Sequence, residues 1–254
     1  MRSVGDALAD RTARVRRWPR RLLALFVVLL AVVLIVAVLG AAVVAVLWPL
    51  TPPVSDAGAR VDRLLAANRT TPMAALPTPD PVGEAIIATE NSRFSSDFGL
   101  DPISVVRTGF NMLRGSADQG AATLEIQLAK NLYTPGRGGI GPKIEQVELA
   151  FKLDSRYSKD EVLLLYLNAA YYGHGNYGLA AAARNYFGVT PAQLTWAQAS
   201  LLAGLVQAPT AYDPYRHFAL AKSRQRHVLD RLVATGVLTS AAADNVYATP
   251  LTLR

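Results

Sequence analysis

Residues 85 to 101 read AIIATENSRFSSDFGLD: an apolar run ends in one carboxylate, Glu90, and a short polar loop follows. Such a carboxylate is either an ordinary charge at a helix end or an acid set to exchange a proton with a substrate. Ala85, Ile86, Ile87, Ala88 and Phe94 would partly desolvate it, which favours proton exchange near the working pH. Three more segments place polar residues and glycines tightly beside apolar helix: GAATLEIQLAKNLY (120 to 133), PKIEQVELAFKLD (142 to 154) and YLNAAYYGHGNYGLAAAARNYFG (166 to 188). Singly, each has a plain explanation. Lys130 reads as a solvated lysine with its stem on apolar surface, and His174 as a loop or satisfied core histidine.

The elements that must position these residues are helical. Ser158-Lys-Asp-Glu161 is a capping box ahead of VLLLYLN, Thr190-Pro-Ala-Gln193 puts proline at a first helical position, and Thr195-Trp-Ala-Gln198 opens SLLAGLVQ, which Pro209 stops. Alternating β-branched runs are nearly absent, and no repeat of 20 to 50 residues appears. A mainly α-helical domain over 82–254 follows, large enough for a real core.

Charge and hydropathy organise the rest. The net charge of +7 is concentrated in residues 1–21, where seven arginines face two aspartates, so the domain carries no broad basic patch and nucleic acid is not an expected partner. Residues 22–48 hold no charged or polar side chain apart from the indole of Trp48 and reach about 40 Å as a helix, enough to span a bilayer core. Arginines before this segment, and none close behind it, predict an uncleaved single-pass anchor with a cytoplasmic tail at 1–21 and an extracellular or periplasmic domain. A cleaved signal peptide would have a shorter apolar core. Trp18 and Trp48 suit the two interfaces. Residues 49–81 contain seven prolines around one short helical candidate, Ala59 to Ala67, and read as a proline-rich stalk. The lack of cysteine is compatible with export and decides little.

The order and spacing of the four polar segments resemble the family 51 glycosyltransferases, the peptidoglycan transglycosylase domain that stands alone or at the front of bifunctional penicillin-binding proteins. The first motif, E-D-x-x-F-x-x-H-x-G-x-D, is met by Glu90, Phe94, Gly99 and Asp101, with Asn91 and Asp97 in the places of Asp and His. The second, G-x-S-T-I-T-Q-Q-L-x-K-N, is met by Gly120, Thr123, Gln127, Leu128, Lys130 and Asn131, while Ala122, Glu125 and Ile126 depart. The third, R-K-x-x-E followed by A-x-x-L-E, is met by Lys143, Ala150 and Leu153, with Pro142, Gln146 and Asp154 departing. YSKDEVLLLYLNAAYYGHGNYG and LLAGLVQAPTAYDP match the last motifs, and the likeness extends over roughly residues 80–235.

The resemblance implies a lysozyme-like fold and polymerisation of lipid II, with undecaprenyl pyrophosphate as leaving group and inversion at the donor's anomeric carbon. Glu90 takes the general-base position, because a sugar hydroxyl must lose its proton as it attacks. Lys130 and Lys143 take phosphate-contacting positions, Arg137 is one residue from where the pattern often has an arginine, and Thr123 and Gln127 become donors to phosphate or sugar. Gln146 stands where the family has a second glutamate and cannot act as an acid. Its neighbour Glu145 would point about 100° away, since Lys143 and Gln146 share the helix face. No cofactor is required; a divalent cation, magnesium or manganese, could accompany the pyrophosphate, but no metal-ligand spacing is visible.

The expected partners are lipid II, the nascent glycan chain, the bilayer and other cell-wall synthesis proteins. In PISVVRTGFNMLRG, Ile103, Val106, Phe110 and Leu113 lie near helical spacing beside Arg107 and Arg114, a face for the core or for the outer leaflet. No S-x-x-K occurs and the chain ends soon after the domain, so a monofunctional enzyme without a β-lactam target is expected. Two rivals remain: a glycan-cleaving enzyme with Glu90 as acid, disfavoured by the lysines, and a catalytically degenerate lipid II-binding or cell-wall scaffold, suggested by the motif departures.

Overall fold

The computed structural model describes residues 4–101 and 122–254, with side chains from Leu22 onward except at 37 and 43. Gly120, the 102–115 segment with Arg107 and Arg114, and the side chains of the arginine-rich tail and Trp18 lie outside the described residues. The chain divides into two compact units, Met1–Thr51 and Pro52–Arg254. The first unit is dominated by α1 (Val4–Leu47), whose stretch Leu22–Leu47 is long and apolar enough to cross a membrane. None of its most apolar window is buried against protein.

The second unit is built from α2 (Ala57–Ala67), α3 (Pro81–Glu90), α4 (Leu124–Tyr133), α5 (Ile140–Arg156), α6 (Lys159–Ala169), α7 (Leu179–Phe187), α8 (Trp196–Leu205), α9 (Phe218–Ala234) and α10 (Ser240–Ala248). Among the described residues there is no strand; Tyr171 and Tyr177 form an isolated antiparallel bridge. Local chemistry starts these helices where expected. Ser158 and Glu161 close a reciprocal capping box at α6, and Thr195 and Gln198 close another at α8. Thr190 and Gln193 do the same, but Pro191–Gln193 is a single 3-10 turn. Asp80 caps α3 by accepting from the Gly83 N–H at 2.8 Å, with Pro81 at the first position.

Helix α8 is the hub. Ala197 and every residue from Ala199 to Leu205 are buried, so the helix is apolar all round, as a central helix must be. It packs against α3 and α9, while α4 packs on α5 and α6. Glu90 is the last residue of α3, so the catalytic candidate ends a helix held against the hub.

The unit begins at Pro52, well before the boundary expected at residue 82. Of the segment read as a stalk, Val54, Ala57, Val61 and Leu65 enter the common core. Arg60 donates to the Leu132 carbonyl at 3.3 Å and lies over the Tyr133 ring, whose hydroxyl donates to Asp56 at 3.1 Å. The Asn168 side chain spans the backbone of Met73, accepting from its N–H at 2.8 Å and donating to its carbonyl at 3.0 Å. Prolines break regular structure without preventing docking, because a chain that lacks its own ladder can still satisfy its backbone on neighbours. Leu65→Ala should therefore cost about 2–5 kcal/mol in urea unfolding of the detergent-solubilised chain. A loss below about 0.5 kcal/mol, typical of a surface position, would restore the stalk.

Candidate active site

Glu90 leaves its side chain 15% exposed and takes donors from two other helices. Gln127 Nε2 on α4 donates to Oε2 at 3.1 Å, and Arg224 Nη2 on α9 lies 3.3 Å from Oε1. Gln127 is itself oriented. The Tyr166 hydroxyl on α6 donates to Gln127 Oε1 at 3.0 Å, which turns the amide nitrogen toward Glu90. Burial, then the Glu90 charge, pushes the Tyr166 phenol far above its ordinary range, so it remains a donor. Arg224 is placed by close helix packing: a Cβ on Gly204 of α8 would stand 3.0 Å from Arg224 Cγ. His227, one turn further on α9, is pushed down by burial and then by Arg224 and Arg231, and is neutral at neutral pH. Among these contacts both of Glu90's partners are donors, and together they fix the position of its carboxylate.

The loop after Glu90 is fixed by packing. Gly99 has φ +82°, and a Cβ there would come 2.8 Å from the Ala150 carbonyl oxygen of α5, so glycine is needed twice over. Asp101 pairs with Arg93 inside the loop. Asp97 is 2.7 Å from Lys159, which also reaches Glu125 and Asp154 at 2.7 Å each. One oxygen from each of the three acids falls within 4.8 Å of the others, the donor set of a hard-cation site, but the Lys159 ammonium already fills its centre.

Several expected phosphate or sugar contacts are otherwise engaged. Thr123 is the N-cap of α4, accepting from the Ile126 N–H at 3.3 Å, and its hydroxyl donates to the Gly99 carbonyl at 2.8 Å in a buried position. Gln127 serves Glu90. Gln146 is buried and donates to the Thr134 hydroxyl at 2.7 Å. Glu145 pairs with Arg137 at 2.9 Å, so these two neutralise each other. Lys130 and Lys143 are exposed and have no hydrogen bond or ion pair among the described residues. Lys130 lies one turn beyond Gln127 on the same face of α4. His174 is a loop residue, its side chain 54% exposed and 3.5 Å from Asp213.

Comparison with known proteins identifies the family. The family model described as Transglycosylase matches residues 58–233, more than half the chain. The chain belongs to the transglycosylase family. Its mainly helical domain is accordingly of the lysozyme-like kind. A Cupriavidus necator protein named "putative transglycosylase" is 38% identical over 205 residues, covering 75% of this chain and 89% of its own. Penicillin-binding protein 1A of Vibrio cholerae is 37% identical over 72% of this chain, and that of Escherichia coli 38% over 65%, but the match spans only 22% and 20% of those longer proteins. The family match starts at residue 58, so α2 belongs to the transglycosylase domain by sequence kinship as well as by packing.

Tyr166, Arg224 and Lys159 were not singled out by sequence. Each sits in a stretch that was noticed or is dense in similar residues: Tyr166 within VLLLYLN, Arg224 among the basic residues of AKSRQRHVLDRL. Only the meeting of α3, α4, α6 and α9 distinguishes them. Tyr166→Phe should remove the donor that orients Gln127 and cost about 1–3 kcal/mol of folding stability by denaturant titration. An unchanged midpoint would mean that the Gln127 amide needs no such anchor.

Proposed function

We propose that this transglycosylase polymerises lipid II outside the cytoplasmic membrane, with α1 as its anchor. The observation that carries the proposal is the mostly buried Glu90 carboxylate, held by two donors at the head of the first family motif. The acceptor's 4-hydroxyl gives its proton to Glu90 as its oxygen attacks the donor's anomeric carbon. The bond from that carbon to the pyrophosphate oxygen breaks, configuration inverts, and undecaprenyl pyrophosphate departs. Lys130 and Lys143, exposed and uncommitted among the described residues, would meet the charge that grows on the leaving group. The pyrophosphate can bring its own divalent cation, and no step above depends on one.

Arg224 and Gln127 keep the Glu90 side chain in one place before substrate arrives, which lowers the cost of reaching a reactive geometry. Gln146 takes no chemical part in this scheme, since its amide is spent on Thr134 inside the protein. A second charged acid is supplied neither by it nor by the Arg137-paired Glu145. The catalytic load falls on one carboxylate and two lysines.

With lipid II and the detergent-solubilised full chain, Glu90→Gln should lower the polymerisation rate by about 10²–10⁴-fold. Because it leaves the mostly buried Arg224 without its carboxylate, it should also lower the unfolding midpoint, so rates are compared at a temperature where both proteins remain folded. Lipid II binding without polymer, indifferent to this substitution, would favour a non-catalytic scaffold. Gln146→Glu should give no gain in rate, and should instead cost about 1–3 kcal/mol of stability, because it places a charge in a buried site built for an amide. A faster Gln146→Glu enzyme would show that this side chain reaches the reaction after all.

A further inference from the structure

Asn91, Asp97, Glu125 and Asp154 are four of the positions at which this chain departs from the motif pattern. All four belong to one network. Asp97, Glu125 and Asp154 each place an oxygen 2.7 Å from Lys159 Nζ, and Asn91 Nδ2 donates to the other Asp97 oxygen at 2.7 Å. We propose that Lys159 is a positioning residue for the reaction, a clamp that joins the two flanks of Glu90 and fixes where its carboxylate stands. The proposal rests on Glu90 being the base.

One flank is the loop that begins at Asn91, the residue directly after Glu90, whose backbone N–H closes α3 on the Ile87 carbonyl at 3.1 Å. Its side chain reaches Lys159 through Asp97. The other flank is α4, where Glu125 lies in the first turn, two residues before the Gln127 that holds Glu90 Oε2. Asp154 adds α5, against whose Ala150 carbonyl the loop glycine Gly99 is packed. Phe94, 3% exposed, sets its ring 4.8 Å from the same ammonium. Three segments of chain, the loop, α4 and α5, thus converge on one atom carried by α6.

Lysine fits the position for a stereochemical reason. An ammonium has three donors that diverge from one nitrogen, which lets Lys159 hydrogen-bond Asp97 and Glu125 while pairing with Asp154 at 2.7 Å. A planar guanidinium presents a fork instead and cannot meet three convergent acids in the same way. The network is also exclusive. Glu125 is fully buried and one of its oxygens has no partner, so this acid depends on Lys159 alone for a cation. Burial works against the Lys159 charge, but its interactions with the acceptors Asp154, Asp97 and Glu125 outweigh it and shift the ammonium upward, so the clamp is charged at every ordinary pH. These four departures from the family pattern therefore meet in one network beside the base.

The test measures kcat, KM and unfolding temperature on lipid II with the full chain. Lys159→Met should lower kcat by about 10–100-fold with KM changed less than about 3-fold, as expected when a reacting group is displaced but substrate binding is intact. Because this variant leaves three acids facing one another, a second variant combines Lys159→Met with Asp97→Asn, Glu125→Gln and Asp154→Asn. It should recover most of the unfolding temperature and keep the low kcat. Recovery of kcat together with stability would reduce Lys159 to charge compensation and overturn the proposal, as would wild-type kcat in Lys159→Met while Glu90→Gln is inactive. If Glu90→Gln itself turns over normally, or the wild type makes no polymer, the functional reading fails and the positioning role falls with it.

Discussion

A mostly buried carboxylate is tolerated only where donors replace the water it has lost, and the transglycosylase domain is organised around supplying two such donors to Glu90. Neither comes from its own helix. Gln127 arrives on α4 and Arg224 on α9, more than thirty and more than a hundred residues away in sequence. Each donor is in turn held by a third element: Tyr166 of α6 sets the amide, and Gly204 of α8 lets the arginine stem lie close. Removing one member of such a set leaves a charge without compensation, which is why a buried pair is costly to break even where it adds little net stability.

The central helix makes this arrangement possible. Because α8 is buried on every side, α3 and α9 can both lie against it, and the end of α3 meets the middle of α9 where Glu90 and Arg224 pair. The glycines that matter act through sterics. Gly99 adopts a backbone conformation that other residues resist and touches the Ala150 carbonyl, which docks the loop after Glu90 onto α5. Thr123 completes that docking from α4, its hydroxyl on the Gly99 carbonyl. This motif residue thereby joins two motifs.

This division of labour changes what the motif departures mean. Singly, Asn91, Asp97, Glu125 and Asp154 look like erosion of a catalytic pattern. In space they form one hydrogen-bonded set around Lys159, with acceptors matched to the three donors of an ammonium. Gln146 likewise satisfies Thr134 inside the protein, and the charge of Glu145 is met by Arg137. Among the described site residues, Lys130 and Lys143 remain exposed and uncommitted.

The sequence by itself determined what depends on near neighbours. Capping boxes at Ser158 and Thr195, the apolar run at 22–47 and the order of the polar segments are written within a few residues of where they act, so the helices, the membrane-competent segment and the family were all legible. Tertiary structure decided whatever depends on which helices meet. It placed α2 in the core although the prolines on either side of it spelled a stalk, gave Thr123, Gln127 and Gln146 partners inside the protein, and brought Arg224, Tyr166 and Lys159 to the neighbourhood of Glu90. A hydrogen bond forms with whatever lies within about 3 Å, and for a side chain on a packed helix that neighbour is chosen by the fold and not by the adjoining residues.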